Sequence, residues 1–456
     1  MPQVIEFDER AFAVTFAGDG PPERVDSGLV LPTGRVALLH GLGDAPFYRH
    51  GHNSWSPCGW RRISEAPLRI ESAERRRTAD DTVWDDPNRH HSSAVAALQG
   101  PDGRVLLLGG LGLGVPRLHA DRDTLAGWYE QDGAPWFLAY GREDDVFAAY
   151  TRQLAARLGD SRKRAGNVWC SWYAYYEEIT EEQLTKDITA LRGLPFDVVQ
   201  VDDGWEQAVG DWVPNAKFPS GMRALADRIA DAGLRPGLWI APFIVHPESR
   251  VAQEKPELVL RDGSGEPVVA GHNWGTGYWA LDLTLPAAQE HLRELIHRVS
   301  GEWGFTYLKL DFVNAGTIPG SRYAGIDREE SYRAALRIIR EVAGPEAYLL
   351  GSGAPLLPSL GLLDGIRSGP DVAPMWDHYA TQDPSDALAR NAVVNTLHRL
   401  WQAPLLEVDP DVVYFRTRLN LLTEHQQSWL RDLADICGFR AISDPRDGST
   451  PTSSKR

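Results

Sequence analysis

Apolar and polar positions change rhythm twice along the chain. Up to about residue 140 the apolar residues come in short runs closed by turn signals. VIEFDERAFAVTFAG alternates and stops at Gly18, RVALLHGLG and RVLLLGGLGLG end in glycines, and DGAPWFLAYG follows. No long helical pattern interrupts these runs, so a β-sandwich is predicted over residues 1–140. From Glu143, DDVFAAYTRQLAARLG has apolar positions three and four apart. That spacing predicts a helix, within a linker over 141–166.

From Asn167 strand-like and helix-like segments alternate. NVWCSWYAYY is followed by the helix TEEQLTKDITALRGL, with Thr180 as its N-cap and a glutamate in its first turn. Then come FDVVQVDDGW, the helix GMRALADRIADAG, LRPGLWIAPF, YWALDLT, the helix AAQEHLRELIHRVSGEWG and YLKLDFVNAG. The helix REESYRAALRIIREVAG, AYLLGSG, GIRSGPD, the helix SDALARNAVVNTLHRLW and PLLEVDPD complete the series. Eight apolar runs ending in polar or glycine-rich turns predict a parallel sheet, and their span is that of an α/β (β/α)8 TIM barrel over 167–412. One more helix is expected within 413–440, and the polar stretch 441–456 is expected to be a disordered tail.

Bulk properties remove several classes of partner. A formal net charge of −16 opposes binding to nucleic acid or an anionic membrane, which would repel it. No apolar stretch approaches the ~18–20 residues of a membrane helix. Cys58, Cys170 and Cys437 fit neither a disulfide framework nor a close-spaced zinc motif. The opening MPQVIEFDERAF carries acids where a secretion signal would carry basic and then apolar residues, so a cytoplasmic location is expected. The chain holds 16 Trp, which suits stacking on sugar rings, although Trp is also an ordinary core residue.

Barrels of this kind carry their chemistry at the carboxyl ends of the strands. Collected in order, those ends offer Trp172, Tyr173 and Tyr175 from the first strand and Gln200 through Trp205 from the second. The expected fourth strand gives Asp282, the fifth Lys309 and Asp311, and the loop after the sixth Ser352. Arg367 and Asp371 come from the seventh, Asp409 and Asp411 from the eighth. A ring of carboxylates, two cations and aromatics suits a neutral polyhydroxylated ligand.

In YLKLDF, Lys309 and Asp311 are two apart and point the same way on a strand. A neighbouring ammonium favours an ionised carboxylate, which a nucleophile at an anomeric carbon requires. The plainer alternative is a salt bridge inside the barrel. In GIRSGPD a Gly-Pro turn separates Arg367 from Asp371. Asp371 then either projects across the mouth as a general acid or caps a turn. The pair Asp202-Asp203 before Gly204 and Trp205 reads equally as a hydroxyl-binding site or as an Asx turn with a packed indole. A metal site is disfavoured, because His246, His272 and His378 lie on separate loops without ligand spacing.

The segments WCSWYAYY, QVDDGW, GDWVPNAKFPSG, GLWIAPF, YLKLDFVNAGTIPG and APLLPSLGLLDGIRSGPDVAPMW resemble glycoside hydrolase family 36, in particular its shorter bacterial α-galactosidases. The likeness runs from about Asn167 to Asp411, with the sandwich matched only in outline. It implies Asp311 as nucleophile and Asp371 as acid/base of a retaining enzyme that needs no cofactor or metal. It also implies that Asp202 and Asp203 bind sugar hydroxyls, the feature that favours galactose, with Lys309 and Arg367 as further hydroxyl ligands. Trp172 and Tyr173 would line the site, Trp239 in GLWIAPF joins the substrate-binding candidates, and Trp55 of HNSWSPCGW would reach in from the sandwich. The substrate class implied is the terminal α-galactosides of small oligosaccharides of the raffinose and melibiose type, and homo-oligomers are common in the family.

Three departures accompany this resemblance. Ser352 stands where relatives carry other polar residues, often Cys or Asp. Val408 precedes Asp409 where an asparagine is expected, and the family's C-terminal β-domain is missing or much reduced. The first two leave open the same mechanism on another sugar, as an α-glucosidase or α-N-acetylgalactosaminidase, and transglycosylation is a further variant. A Schiff-base lyase using Lys309 would need a depressed lysine pKa, which Asp311 opposes. A non-catalytic sugar-binding module would have no use for a charged carboxylate under the anomeric carbon.

Overall fold

The computed structural model describes residues 2–445 except 8–9, 19, 82–85, 132, 379 and 381. Of the tail expected over 441–456, residues 446–456 lie outside the described residues. Among the described residues no helix is long and apolar enough to cross a membrane.

The N-terminal third is two antiparallel sheets. One has six strands in the order Gln3–Phe7, Arg10–Phe16, Val36–Leu39, Thr124–Tyr129, Pro116–Ala120 and His90–Ser93. The other has seven strands, with Trp136–Gly141, Val105–Gly110 and Val95–Gln99 at its centre. Side chains alternate across a strand, and here both faces of the second sheet are covered. Leu98, Leu106, Leu108 and Leu138 pack with Phe12, Val14, Leu118 and Leu125 between the sheets. Their neighbours Ala97, Val105, Leu107, Phe137 and Ala139 join the core shared with the C-terminal part. Double burial is why RVLLLGG is almost continuously apolar.

The linker helix, Glu143–Leu158, lies on that second face. It buries Val146, Phe147, Tyr150 and Leu154, and Tyr150 donates to the Gly110 carbonyl at 2.8 Å. Three acids in its first turn and Arg157 in its last suit the helix dipole.

The C-terminal part is TIM-barrel-like. Parallel strands Asn167–Cys170, Val198–Val201, Arg235–Ile240, Tyr307–Leu310, Tyr348–Gly351, Gly365–Arg367 and Glu407–Asp409 pair in sequence order. Arg440–Ile442 pairs with the first of them, and with Val412–Val413 on its other side. Because 407–409 and 412–413 are successive pieces of one stretch of chain, the sheet curls back on itself. Helices between the strands have the expected caps: Thr180 accepts from the Gln183 N–H, and Asp327 from the N–H groups of Glu329 and Glu330.

Two expectations change here. YWALDLT is a strand, Thr276–Ala280, but it pairs antiparallel with Val269–Asn273 and Ile244–Val245 in a separate three-stranded sheet. The cause is local. Asn273 faces Thr276 across the two-residue loop Trp274-Gly275, both at positive φ (50° and 80°), a hairpin turn that binds this strand to its neighbour. YLKLDF is therefore the fourth parallel strand, not the fifth. The eighth is Arg440–Ile442, which runs across residue 440 into the stretch 441–456 expected to be disordered, and Ser443 and Asp444 beyond it are buried. The Ser443 hydroxyl donates to the Cys170 carbonyl, and Asp444 accepts from the Phe415 N–H at 2.8 Å.

Candidate active site

Register brings the first cluster together. Trp239 pairs with Lys309 across the third and fourth parallel strands, and the Asp311 N–H continues the ladder to the Ile240 carbonyl at 2.9 Å. The Lys309 ammonium donates to Asp202 at 2.9 Å and lies 3.9 Å from Asp311. Trp239 Nε1 donates to Asp311 at 3.1 Å, and the Phe312 N–H to its other oxygen at 2.8 Å. One ammonium and two N–H donors thus converge on Asp311, and both N–H groups donate to it. Burial works against the charge on Lys309, but Asp202 and Asp311 hold its pKa above the ordinary lysine value. That charge state disfavours a Schiff-base lysine.

Phe312, directly after Asp311, sits in the left-handed region at φ 51°. A bulky residue there is strained. Its ring meets Trp55 from the sandwich at 5.5 Å, and Trp274 and Tyr278 at 5.3 Å each. Trp55 also lies against Gly353, where a side-chain carbon would come within 2.5 Å of the indole. Trp55 of the sandwich thus packs against Phe312 and Gly353 at the ends of two barrel strands. Ser352, before that glycine, is buried at the end of the fifth strand, its N–H on the Leu310 carbonyl at 2.8 Å.

Arg367 organises the second cluster. It donates to Asp371 and Asp409 at 3.0 Å each and pairs with Asp411 at 3.0 Å. Asp411 is further held by the Tyr173 hydroxyl at 2.5 Å and the Val372 N–H at 2.9 Å. The Asp371 side chain keeps an open edge, 38% exposed, but the protein around the rest of it strips away water and the Asp411 charge adds to this, so its pKa rises to about 6. Arg367 and Lys309 oppose that rise and Asp311 adds to it, so all three carry charge felt at Asp371. Trp172 lies beside this cluster, its ring edge-on to Tyr176 at 5.3 Å.

Asp203 forms a third group. Trp274 Nε1 donates to it at 3.0 Å. Burial raises its pKa well above the ordinary carboxylate value, and the neighbouring Glu206 carboxylate raises it further. Glu206 is raised as well, chiefly by burial, and accepts the Gly204 N–H at 3.2 Å. Asp203 and Glu206 thus form a buried carboxylate pair beside a cavity of about 610 Å³.

Two strand-end candidates do other work. Asp282 accepts from the Thr284 N–H and hydroxyl at 3.0 and 2.6 Å and from the Tyr323 N–H at 2.8 Å, so it pins a loop. Tyr175 is buried and donates to Asp187 at 2.7 Å. Trp274 and Glu206 were not anticipated. The Trp-Gly turn in HNWGTG and a third acid just after VDDGW are the signals that could have found them. Among the described residues no group of three or more His, Cys, Asp or Glu side chains is arranged to hold a metal ion.

Comparison with known proteins places the chain in a family and a fold. A family model described as Melibiase matches residues 146–343. The α-galactosidase AgaA of Geobacillus stearothermophilus is 27% identical over 237 residues, which is 48% of this chain and only 30% of that protein's length. The structure of TtGalA, an α-galactosidase from Thermus thermophilus in complex with stachyose, is 44% identical, with a TM-score of 0.90. That match covers 98% of this chain and 96% of the other. The family 36 α-galactosidase AgaA has the same fold at 17% identity and a TM-score of 0.63, over 94% of this chain and 64% of that one.

Proposed function

The chain belongs to glycoside hydrolase family 36, the α-galactosidases, and from that premise we propose that it hydrolyses terminal α-galactosides of small oligosaccharides with retention of configuration. The curled parallel sheet acts as a (β/α)8 barrel, with the sandwich lending Trp55 to its mouth. Asp311 attacks the anomeric carbon while Asp371 protonates the leaving oxygen. Asp371, now a carboxylate, then takes a proton from water as that water displaces the sugar from Asp311. Asp202, Asp203, Lys309 and Arg367 bind hydroxyls.

The observation that carries this reading is the contrast between two carboxylates in one mouth. Asp311 faces an ammonium and two N–H donors, whereas Asp371 is pushed up to about 6. Opposed environments of this kind separate nucleophile from acid. The relatives support galactose: TtGalA has been seen with stachyose and with p-nitrophenyl α-D-galactopyranoside. The three cysteines are unpaired, which supports a cytoplasmic location.

The test is turnover of nitrophenyl α-galactoside by the wild type and by Asp311→Gly, with and without azide. The reading expects the glycine variant to lose roughly a thousandfold or more in rate. Azide should restore part of it and yield the β-galactosyl azide. Asp311→Gly as active as wild type overturns the roles. Turnover of a different α-glycoside alone would keep the mechanism and change the sugar.

A further inference from the structure

Exposure tells the floor of the site from its open side. The side chains of Asp202 and Asp411 are 3% and 2% exposed, but that of Asp371 is 38%. A general acid has the leaving group on the side from which it delivers its proton. Whatever binds the departing sugar must therefore lie where Asp371 meets solvent.

Tyr176 lies there. It follows the helical turn Trp172–Tyr175 and is 41% exposed. Its ring is edge-on to Trp172 at 5.3 Å and to Tyr173 at 6.2 Å. After burial, the charges felt most by its phenol are Arg416 and Asp371. Its backbone stands at φ 51°, ψ −143°, a conformation costly for any residue with a side chain. A tyrosine kept only for packing would be buried, and one kept only for the turn would be better as glycine. An aromatic ring that is open, strained and beside the acid offers an apolar face to a pyranose.

We propose that Tyr176 is a specificity-determining residue whose ring carries the first sugar of the leaving group. The proposal rests on the reading of Asp371 as the acid. It predicts that Tyr176 matters in proportion to what the substrate presents beyond the scissile bond.

Comparing melibiose with α-galactosyl fluoride isolates the effect, because fluoride leaves without a ring to stack. For Tyr176→Ala the ratio of kcat/KM on melibiose to that on the fluoride should fall about ten- to a hundredfold, mostly through KM. Tyr176→Phe should restore the ratio, since the face and not the hydroxyl is used. Tyr176→Gly, which relieves the backbone, should behave as the alanine variant does. Equal losses on both substrates, or no loss on either, would overturn the proposal. A wild type inactive on both would refute the galactosidase reading itself, and this inference with it.

Discussion

If Asp411 helps keep Asp371 protonated, replacing it with asparagine should move the alkaline limb of the pH profile. The two carboxylates sit on the NH1 and NH2 groups of one guanidinium, each at 3.0 Å. A planar fork then sets their charges roughly 6 Å apart. Two like charges at that distance repel by about 2.8 kcal/mol at an effective dielectric of 20. Because Asp371 opens to solvent, about half of that is the reasonable figure, equivalent to about one pH unit. The acid acts only when protonated, so activity is lost as pH rises through its pKa. With wild type titrating at about 6, Asp411→Asn should titrate near 5. At pH 7 the protonated fraction falls from about a tenth to about a hundredth, a tenfold loss in kcat/KM, whereas at pH 4.5 the loss is under about twofold. Asn keeps the shape and one carbonyl acceptor, which limits disturbance of Tyr173 and Val372. The measurement is kcat/KM on an α-galactoside across pH 4–8. A uniform loss at every pH, with the limb unmoved, would refute the electrostatic coupling.

Two further predictions concern how the sandwich meets the barrel. Gly353→Ala puts a side-chain carbon 2.5 Å from the Trp55 indole at φ +68° and should lower both thermal stability and kcat/KM. Gly325→Ala, at φ +62° with open space around it, should cost only the ~1–2 kcal/mol of backbone strain and retain activity; equal loss of activity in both would remove Trp55 from the site. Glu329 is buried, accepts the N–H groups of Gly114 and Val115 at 3.0 and 2.9 Å, and is pushed by burial from 4.5 to about 7. The folded protein holds that proton more tightly than the unfolded chain, so its contribution is complete below pH 4.5 and lost as pH rises to about 7. Melting curves of Glu329→Gln should be flatter than wild type across that window, and an unchanged slope would contradict the raised value.

Much of the site was legible because strands have a period of two. Lys309 and Asp311 had to share a face, and they do. Strand pairing was less legible, because it depends on partners far along the chain. YWALDLT has the composition of a strand, and only the turn at Trp274-Gly275 says that its neighbour is Val269–Asn273. Arg440–Ile442 is three residues long, too short to show any periodicity, and its place is secured by contacts 273 residues away, as between Ser443 and Cys170. The approach of Trp55 to Gly353 crosses two domains: the resemblance of HNSWSPCGW implies that Trp55 reaches in, but no spacing near either residue names Gly353 as its partner. A turn redirects the chain after Asp203, so strand alternation does not reach Glu206.

The division of labour proposed for Asp311 and Asp371 follows from how the cations are shared. Five buried or half-buried aspartates, 202, 311, 371, 409 and 411, face two cations, Lys309 and Arg367. They cannot all be charged cheaply in a medium that is mostly protein. Lys309 serves two aspartates and Arg367 serves three, so a proton is best accepted on the arginine side. Asp411 already takes the Tyr173 hydroxyl and the Val372 N–H, and Asp409 takes the Asp411 N–H at 2.7 Å. Asp371 has the Arg367 contact alone among the hydrogen bonds described and faces the open mouth. It is the member of the arginine group with least to hold its charge, and the one whose proton can reach a leaving oxygen. In the proposed roles, the acid and the nucleophile are told apart by the charges and donors around them, and substituting those neighbours, not only the two aspartates, should shift the pH dependence.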